Sequence, residues 1–418
     1  MRATASLPAL IAITALTGSL GCGGTQPGAE ATDAPNTTPA GAIVVEVDPA
    51  SVRAAPAFFE ALRDDPFRYY RFVNVPFSDE TCRWFGESVT TMPNVNLHGD
   101  AHIEQYAITS EGRGLADFDD SSTGPAVIDL VRFGTSLRLA ADASGLGDAT
   151  PLIDAFLRGY RDAMESPDDE VAEPSISAEI RAGFGDDRAG FLEMTDGLMI
   201  PLDADTEAEV REAFGRYAAR LVETSDAGIN EAHLVIRAVG GLDIGIGSRL
   251  DEKFLVRIEG PTSDPMDDVV IELKEVRDLS GISCIEAGRG GGAFRVLIGQ
   301  ARIGGGIDPW LAPIPAGGEG RFATTPFWAR AWYDHYREVD AGGFDETADL
   351  AEVAYDVGAQ LGRGHVVQIA SPLDAQLRAE QLALLDEIEP DLRAAIDAMA
   401  ERTLEGWRRF GAEVDAAL

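Results

Sequence analysis

Residues 95–129 read VNLHGDAHIEQYAITSEGRGLADFDDSSTGPAVID. Val95-Asn96-Leu97 is a short apolar strand that runs into a polar loop at His98. Tyr106-Ala107-Ile108 and Gly114-Leu115-Ala116 flank Ser110-Glu111-Gly112-Arg113 as the arms of a hairpin flank its turn. From Ala126 to Ala141, Val127, Leu130, Val131, Leu137 and Leu139 are interspersed with Arg132 and Arg138, an amphipathic helix opened by Gly124-Pro125. A strand, a hairpin and a helix in so short a stretch predict an α+β fold.

The pattern continues outward. Residues 151–164 and 204–226 carry helical periodicity. Phe254-Leu255-Val256-Arg257-Ile258 and Val269-Val270-Ile271-Glu272-Leu273 read as strands joined by the turn-rich 260–265, a hairpin with a long loop. From about Asp349 to Leu418 the chain is helical again, restarting at Ser371-Pro372. Helices, then a small sheet, then helices predict two lobes rather than a doubly wound sheet.

The same central stretch carries the densest chemistry. Asp100 lies in a loop after a strand, Gln105 follows five residues on, and Asp117, Asp119 and Asp120 close the next hairpin. Phosphoryl transfer needs a carboxylate to orient or accept the proton of an attacking hydroxyl. It also needs oxygen ligands that hold magnesium against phosphate, where negative charge must be neutralised.

His98-Gly99-Asp100-Ala101-His102 and Asp117-Phe118-Asp119 resemble the HGDxHxxN loop and the Asp-Phe metal motif of aminoglycoside-phosphotransferase-like kinases. That resemblance makes Asp100 the catalytic carboxylate, with His102 bracing its loop, and Asp117 the principal magnesium ligand. Gln105 takes the amide position, where those kinases have Asn, and Asp119 adds to the metal site. A narrower likeness runs through Thr123-Gly124-Pro125, Asp129-Leu130, Arg132 and Ser136. Together with Gly99-Asp100-Ala101-His102 it is similar to the bacterial family catalogued as domain of unknown function 2252. Upstream, Asp65-Pro66-Phe67 and Tyr70-Arg71 resemble that family's opening motif, with Phe72 in place of its glycine. The resemblance implies that Asp129 braces the loop from a buried position. It spans roughly residues 53–366 and implies a two-lobed protein-kinase-like fold in rearranged order, with the catalytic loop ahead of the nucleotide-gripping sheet.

That gripping half is read from Gly245-Ile246-Gly247-Ser248, ahead of the strand at 254, and from Lys274 in Glu272-Leu273-Lys274-Glu275. Glycines let backbone N–H groups approach phosphate oxygens that a Cβ would obstruct. A lysine within an apolar strand must reach an anion, and the α/β-phosphates of a nucleotide supply one. Gly245, Gly247, Ser248 and Lys274 are therefore the expected cofactor-binding residues, with ATP and Mg2+ as cofactors. Leu250 replaces the family's third glycine.

Composition bounds the setting. The chain holds 71 acidic residues against 34 Lys+Arg, a surface that repels phosphate backbones and argues against a nucleic-acid partner. Met1-Arg2, the apolar run Leu7 to Leu20 and Gly21-Cys22 resemble a bacterial lipoprotein signal, with Ser19 where Leu is usual. On that reading Cys22 is lipidated and residues 1–21 are removed. A membrane-tethering linker covers 22–43, and the domain covers 44–418. It divides into a catalytic-loop part (44–230), a Gly-turn and lysine sheet part (231–310) and C-terminal helices (311–418). An ordinary cleaved signal or a retained anchor are the alternatives. The chain then faces the periplasm or exterior from the cell envelope. Cys82 and Cys284 either pair there or stand as buried thiols.

The function expected is an ATP- and Mg2+-dependent phosphotransferase acting on a small-molecule or protein hydroxyl. The alternatives are a degenerate, non-catalytic binding lipoprotein and a hydrolase of phosphate bonds at the same metal site.

Overall fold

A computed structural model describes residues 41–224, 229, 234–246, 251–287, 292–304, 308–367 and 372–418. The expected signal, Cys22 and the tether up to residue 40 lie outside the described residues. The chain opens with helices α1 (Pro49–Ala54), α2 (Pro56–Asp64), α3 (Pro66–Phe72) and α4 (Asn74–Phe85). Asp65 caps α3, accepting from the Phe67 N–H at 2.8 Å, and Pro66 occupies the first turn where its missing N–H leaves no gap. The Asp-Pro-Phe motif of the sequence is thus a helix start.

Strand β1 (Asn94–Leu97) leads into the loop at His98, and the expected hairpin forms from β2 (Tyr106–Thr109) and β3 (Arg113–Leu115). Strand β4 (Ser122–Pro125) returns antiparallel to β1 with Leu97 opposite Ser122. The His98 loop therefore begins beside the end of the Asp117–Asp120 turn. Helix α5 (Val127–Ala143) follows, buried along most of its length with Asp129 and Arg132 inside. Helices α6 (Thr150–Glu165), α7 (Ser175–Ala182), α8 (Arg188–Leu198) and α9 (Ala204–Thr224) complete this half.

The sheet comprises β5 (Ile236–Gly241), β6 (Lys253–Ile258) and β7 (Val269–Glu275), then, after helix α10 (Gly292–Arg302), β8 (Ala312–Ile314) and β9 (Phe327–Trp332). Short α11 (Arg321–Thr324) lies between the last two strands. The strand order is β5-β6-β7-β9-β8, antiparallel throughout. The sheet runs past the expected end at 310, so the part beginning at 311 is not purely helical. Strand β10 (Tyr336–Glu338) then joins β2 as a third strand of the hairpin, a pairing the sequence did not suggest. Helices α12 (Thr347–Val366) and α13 (Leu373–Ala417) close the chain. The fold is α+β, as expected.

Alternation along the strands sorts the sheet's residues onto two faces. Phe254, Val256, Ile258, Ile271, Leu273, Ala329 and Ala331 pack against Val210, Phe214, Tyr217 and Leu221 of α9. The opposite face carries Lys253, Glu272, Lys274 and Arg330, and its Trp328 belongs to the other core, built on α2–α6, α12 and α13. Helices α6 and α12 approach closely because a Cβ at Gly159 would overlap the Tyr355 carbonyl and one at Gly358 the Phe156 carbonyl. A disulfide joins Cys82 of α4 to Cys284 beyond β7, with Cα atoms 5.6 Å apart, which settles the pairing the sequence left open.

Candidate functional site

The His98 loop is held from beneath. The Asp129 carboxylate accepts from the backbone N–H of His98 at 2.7 Å and of Gly99 at 2.8 Å. His365 Nε2 lies 3.1 Å from the same carboxylate, and Tyr160 Oη lies 2.9 Å from His365 Nδ1. All three side chains are buried, so the network holds the loop in a low-dielectric setting. Gly99 has φ +84°, and a Cβ there would overlap the Asp120 carbonyl, so only glycine lets the loop sit against the acidic turn.

Asp100 is buried and shares one carboxylate oxygen with Arg132, at 3.0 Å from Nε and 2.8 Å from Nη2. Arg132 lies over the Tyr70 ring at 3.7 Å, which gives Tyr70 of that motif a physical role, while Arg71 pairs with Glu104 at 2.6 Å. Burial raises the Asp100 carboxyl above its ordinary value, and Arg132 and Arg277 oppose that rise. His102 Nε2 is 3.8 Å from the second Asp100 oxygen, and among the described residues neither ring nitrogen has a hydrogen-bond partner. Burial, aided by Arg71 and Arg132, holds His102 well below its ordinary value and hence neutral. The His102 ring packs edge-on against Phe67 and Tyr70. Gln105 contributes through its backbone: its N–H donates to His102 and its carbonyl accepts from Ala116.

Asp117 has φ +57°, which makes it the one non-glycine residue with positive φ among the described residues. Such a conformation is a constraint that surrounding structure must impose, and it concentrates at functional positions. Lys274 Nζ lies 3.5 Å from Asp117 Oδ1 and pairs with the Asp119 carboxylate. Burial alone would lower the Lys274 ammonium, but Asp117 and Asp119 outweigh it and the group stays charged. Burial would likewise raise Asp117, yet Lys274 and Arg330 hold it well below the ordinary carboxylate range.

Further cations surround the turn. Arg277 reaches Asp120 at 2.6 Å and Asp251 at 3.3 Å. Arg330 pairs with Glu272 at 2.9 Å and stands 3.7 Å from Asp117. Arg295 of α10 donates to the backbone carbonyls of Asp119, Ser121 and Arg277. Lys253 sits directly opposite Lys274 across the β6–β7 ladder and donates to the Ile244 carbonyl. Burial, reinforced by Lys274, pushes Lys253 down to about 8. Gly245 has φ +93°, while Gly247 and Ser248 lie outside the described residues.

Asp117, Asp119 and Lys274 are thus neighbours, and Asp100 joins them through the Gly99–Asp120 contact and the shared influence of Arg277. Among the described residues, no group of three or more His, Cys, Asp or Glu side chains is placed to enclose a metal ion. The donor set still suits Mg2+, which binds through one or two carboxylates plus phosphate oxygens, and Asp117 and Asp119 already converge on one cation. Sequence reasoning assigned no role to Lys253, Glu272, Arg277 or Arg330, and quoted Arg132 only as part of a motif. The available signal was a charge flanked by apolar neighbours on a strand, as at Glu272 between Ile271 and Leu273.

Asp120 gives a pH prediction. Burial first, then the neighbouring Asp119 and Asp100 charges, push its carboxyl from 3.8 up to about 7 against the pull of Arg277. The unfolded chain therefore releases this proton earlier than the folded one, and the contribution of Asp120 to stability declines as pH rises across that interval. Urea denaturation at a series of pH values should show this decline, and Asp120→Asn should flatten it.

Over residues 52–189 and 178–413 the chain matches the model of one family, described as an uncharacterized protein conserved in bacteria (DUF2252). No curated protein and no solved structure matches it.

Proposed function

This chain belongs to the bacterial family DUF2252, and from the geometry of its site we propose that it is a magnesium-dependent phosphotransferase of protein-kinase-like type. The observation that carries the reading is the convergence of Asp117 and Asp119 on Lys274 from parts of the chain 157 residues apart. Two carboxylates around one ammonium form a pocket in which a divalent cation can take the ammonium's place. Lys274 is then free to meet the phosphates that the cation brings.

Asp100 orients the acceptor hydroxyl and receives its proton through the carboxylate oxygen that Arg132 leaves open. The order of parts in the sheet also supports a rearranged two-lobed kinase: a turn with Gly245 between β5 and β6, the lysine on the next strand, then a helix. One part differs, because α10 supplies Arg295 to the acidic turn where kinases pair the lysine with a helix glutamate. The donor is a phosphoanhydride, ATP being the one the family resemblance implies. Bound magnesium would neutralise charge on the transferred group.

The Cys82–Cys284 disulfide supports an oxidising compartment, which suits the cell-envelope place that the lipoprotein-like N-terminus implies. No helix among the described residues is long and apolar enough to cross a membrane. A second reading, a non-catalytic binding lipoprotein, is favoured by Gln105, which stands at the amide position where the kinases it resembles have Asn.

Thermal denaturation with phosphoanhydrides, with and without Mg2+, tests the proposal. A ligand at a hundred times its dissociation constant adds about 2.7 kcal/mol. That gain should require Mg2+ and vanish in Asp117→Asn. A gain that persists in Asp117→Asn would overturn the proposal.

A further inference from the structure

Resting on the phosphotransferase reading, we infer that the phosphoryl donor is a base-free inorganic polyphosphate rather than a nucleoside triphosphate. A nucleotide needs an apolar slot for its flat base beside the phosphate-gripping lysine. Along β7, on the face that carries Lys274, the next positions are Glu272 and Val270. Glu272 is occupied by Arg330 at 2.9 Å and by Trp332 Nε1 at 3.0 Å. Val270 is sealed with Leu255 and Leu242 under Leu192 of α8, and Phe191, Met199 and Trp332 pack around them.

The cover is fastened at several points. Asp196 of α8 pairs with Arg257 at 2.6 Å, and Ile200 and Gly241 exchange backbone hydrogen bonds at 2.8 Å. A Cβ at Gly240 would crowd Met199. The apolar strip where a base would stack is therefore already filled from within the chain.

What stays beside Asp117 is charge. Lys253, Lys274, Arg277, Arg295 and Arg330 provide five cations, and Asp117, Asp119, Asp120, Asp251 and Glu272 provide five carboxylates. Alone this balance gives an anion no net attraction, whereas one divalent ion makes the site positive. A metal-bound chain of phosphates satisfies the site with no further group to seat. The disulfide points the same way independently, because an oxidising compartment lies outside the ATP-rich cytosol. In the transfer, the acceptor oxygen bonds to the terminal phosphorus of tripolyphosphate while the bridging P–O bond breaks. Its electron pair leaves on diphosphate, and the acceptor's proton passes to Asp100.

Isothermal titration calorimetry of the full chain with Mg2+ and either sodium tripolyphosphate or ATP is the test. We expect a dissociation constant at least about tenfold lower for tripolyphosphate, with that binding lost in Asp117→Asn. ATP binding as tightly as tripolyphosphate or more tightly would overturn the inference while leaving the phosphotransferase reading in place. Tripolyphosphate binding undiminished in Asp117→Asn would also overturn it, placing the anion elsewhere. Failure of both ligands to bind would remove the phosphotransferase reading itself.

Discussion

Lys274→Ala lowers folding stability by about 3–5 kcal/mol, the effect of removing one partner from a buried ion pair and leaving the other charge uncompensated. Lys274 is 2% exposed and faces Asp117 and Asp119 at once, so its loss leaves two neighbouring carboxylates with only the more distant Arg330 at 3.7 Å and Arg277 at 4.0 Å. Those two groups repel, and the chain must protonate one of them or let water in. Magnesium therefore stabilises the Lys274→Ala variant more than the parent chain, because it enters a pocket that no longer holds an ammonium. Urea titrations of both proteins, with and without Mg2+, measure the difference. A lysine serving only as a structural charge on the sheet would give the same loss but no preferential rescue by the metal.

Arg132→Ala is expected to have an effect of similar size for a related reason. Arg132 is fully buried, and its guanidinium compensates the buried Asp100 carboxylate. It also donates to the Tyr70 carbonyl at 3.0 Å and stacks on the Tyr70 ring, so truncation removes packing as well as charge. About 3–5 kcal/mol of stability is lost. Replacing both members of the pair, Asp100→Asn with Arg132→Met, should recover a substantial part, since neither then leaves a lone buried charge. If Asp100 receives the acceptor's proton as proposed, the double variant folds yet transfers no phosphoryl group. Chemical denaturation of the single and double variants closes the cycle, and a transfer assay on the double variant separates folding from chemistry.

Much of the local structure was legible because it follows from periodicity. The β2–β3 hairpin, α5, the β6–β7 hairpin and the two closing helices stand where alternation or helical spacing placed them. Pairings that join distant stretches were not legible. Strand β10 adds to β2 across more than two hundred residues, and β8 and β9 complete a sheet that begins before them. Nothing local in Tyr336–Glu338 marks it as a partner for Tyr106–Thr109, since its three residues are exposed and carry no alternation.

The acidic turn and Lys274 were found from residue type and motif order. Their counter-charges were not, because Arg277 looks like an ordinary surface arginine until the fold sets it against Asp120, and no spacing ties Arg330 to Asp117. Asp129 shows the opposite case. The family resemblance implied a buried brace of the loop, and its carboxylate accepts from the N–H groups of His98 and Gly99. His102 lay between these cases: its place beside Asp100 was evident, but not the absence, among the described residues, of a hydrogen-bond partner for its ring.

Manganese electron paramagnetic resonance addresses the shared cation pocket most directly, with Mn2+ standing in for Mg2+. If Asp117 and Asp119 hold the metal and Lys274 occupies its place beforehand, Mn2+ should bind more tightly to Lys274→Ala than to the parent chain and more weakly to Asp117→Asn. Equal manganese affinity in all three proteins would contradict the account.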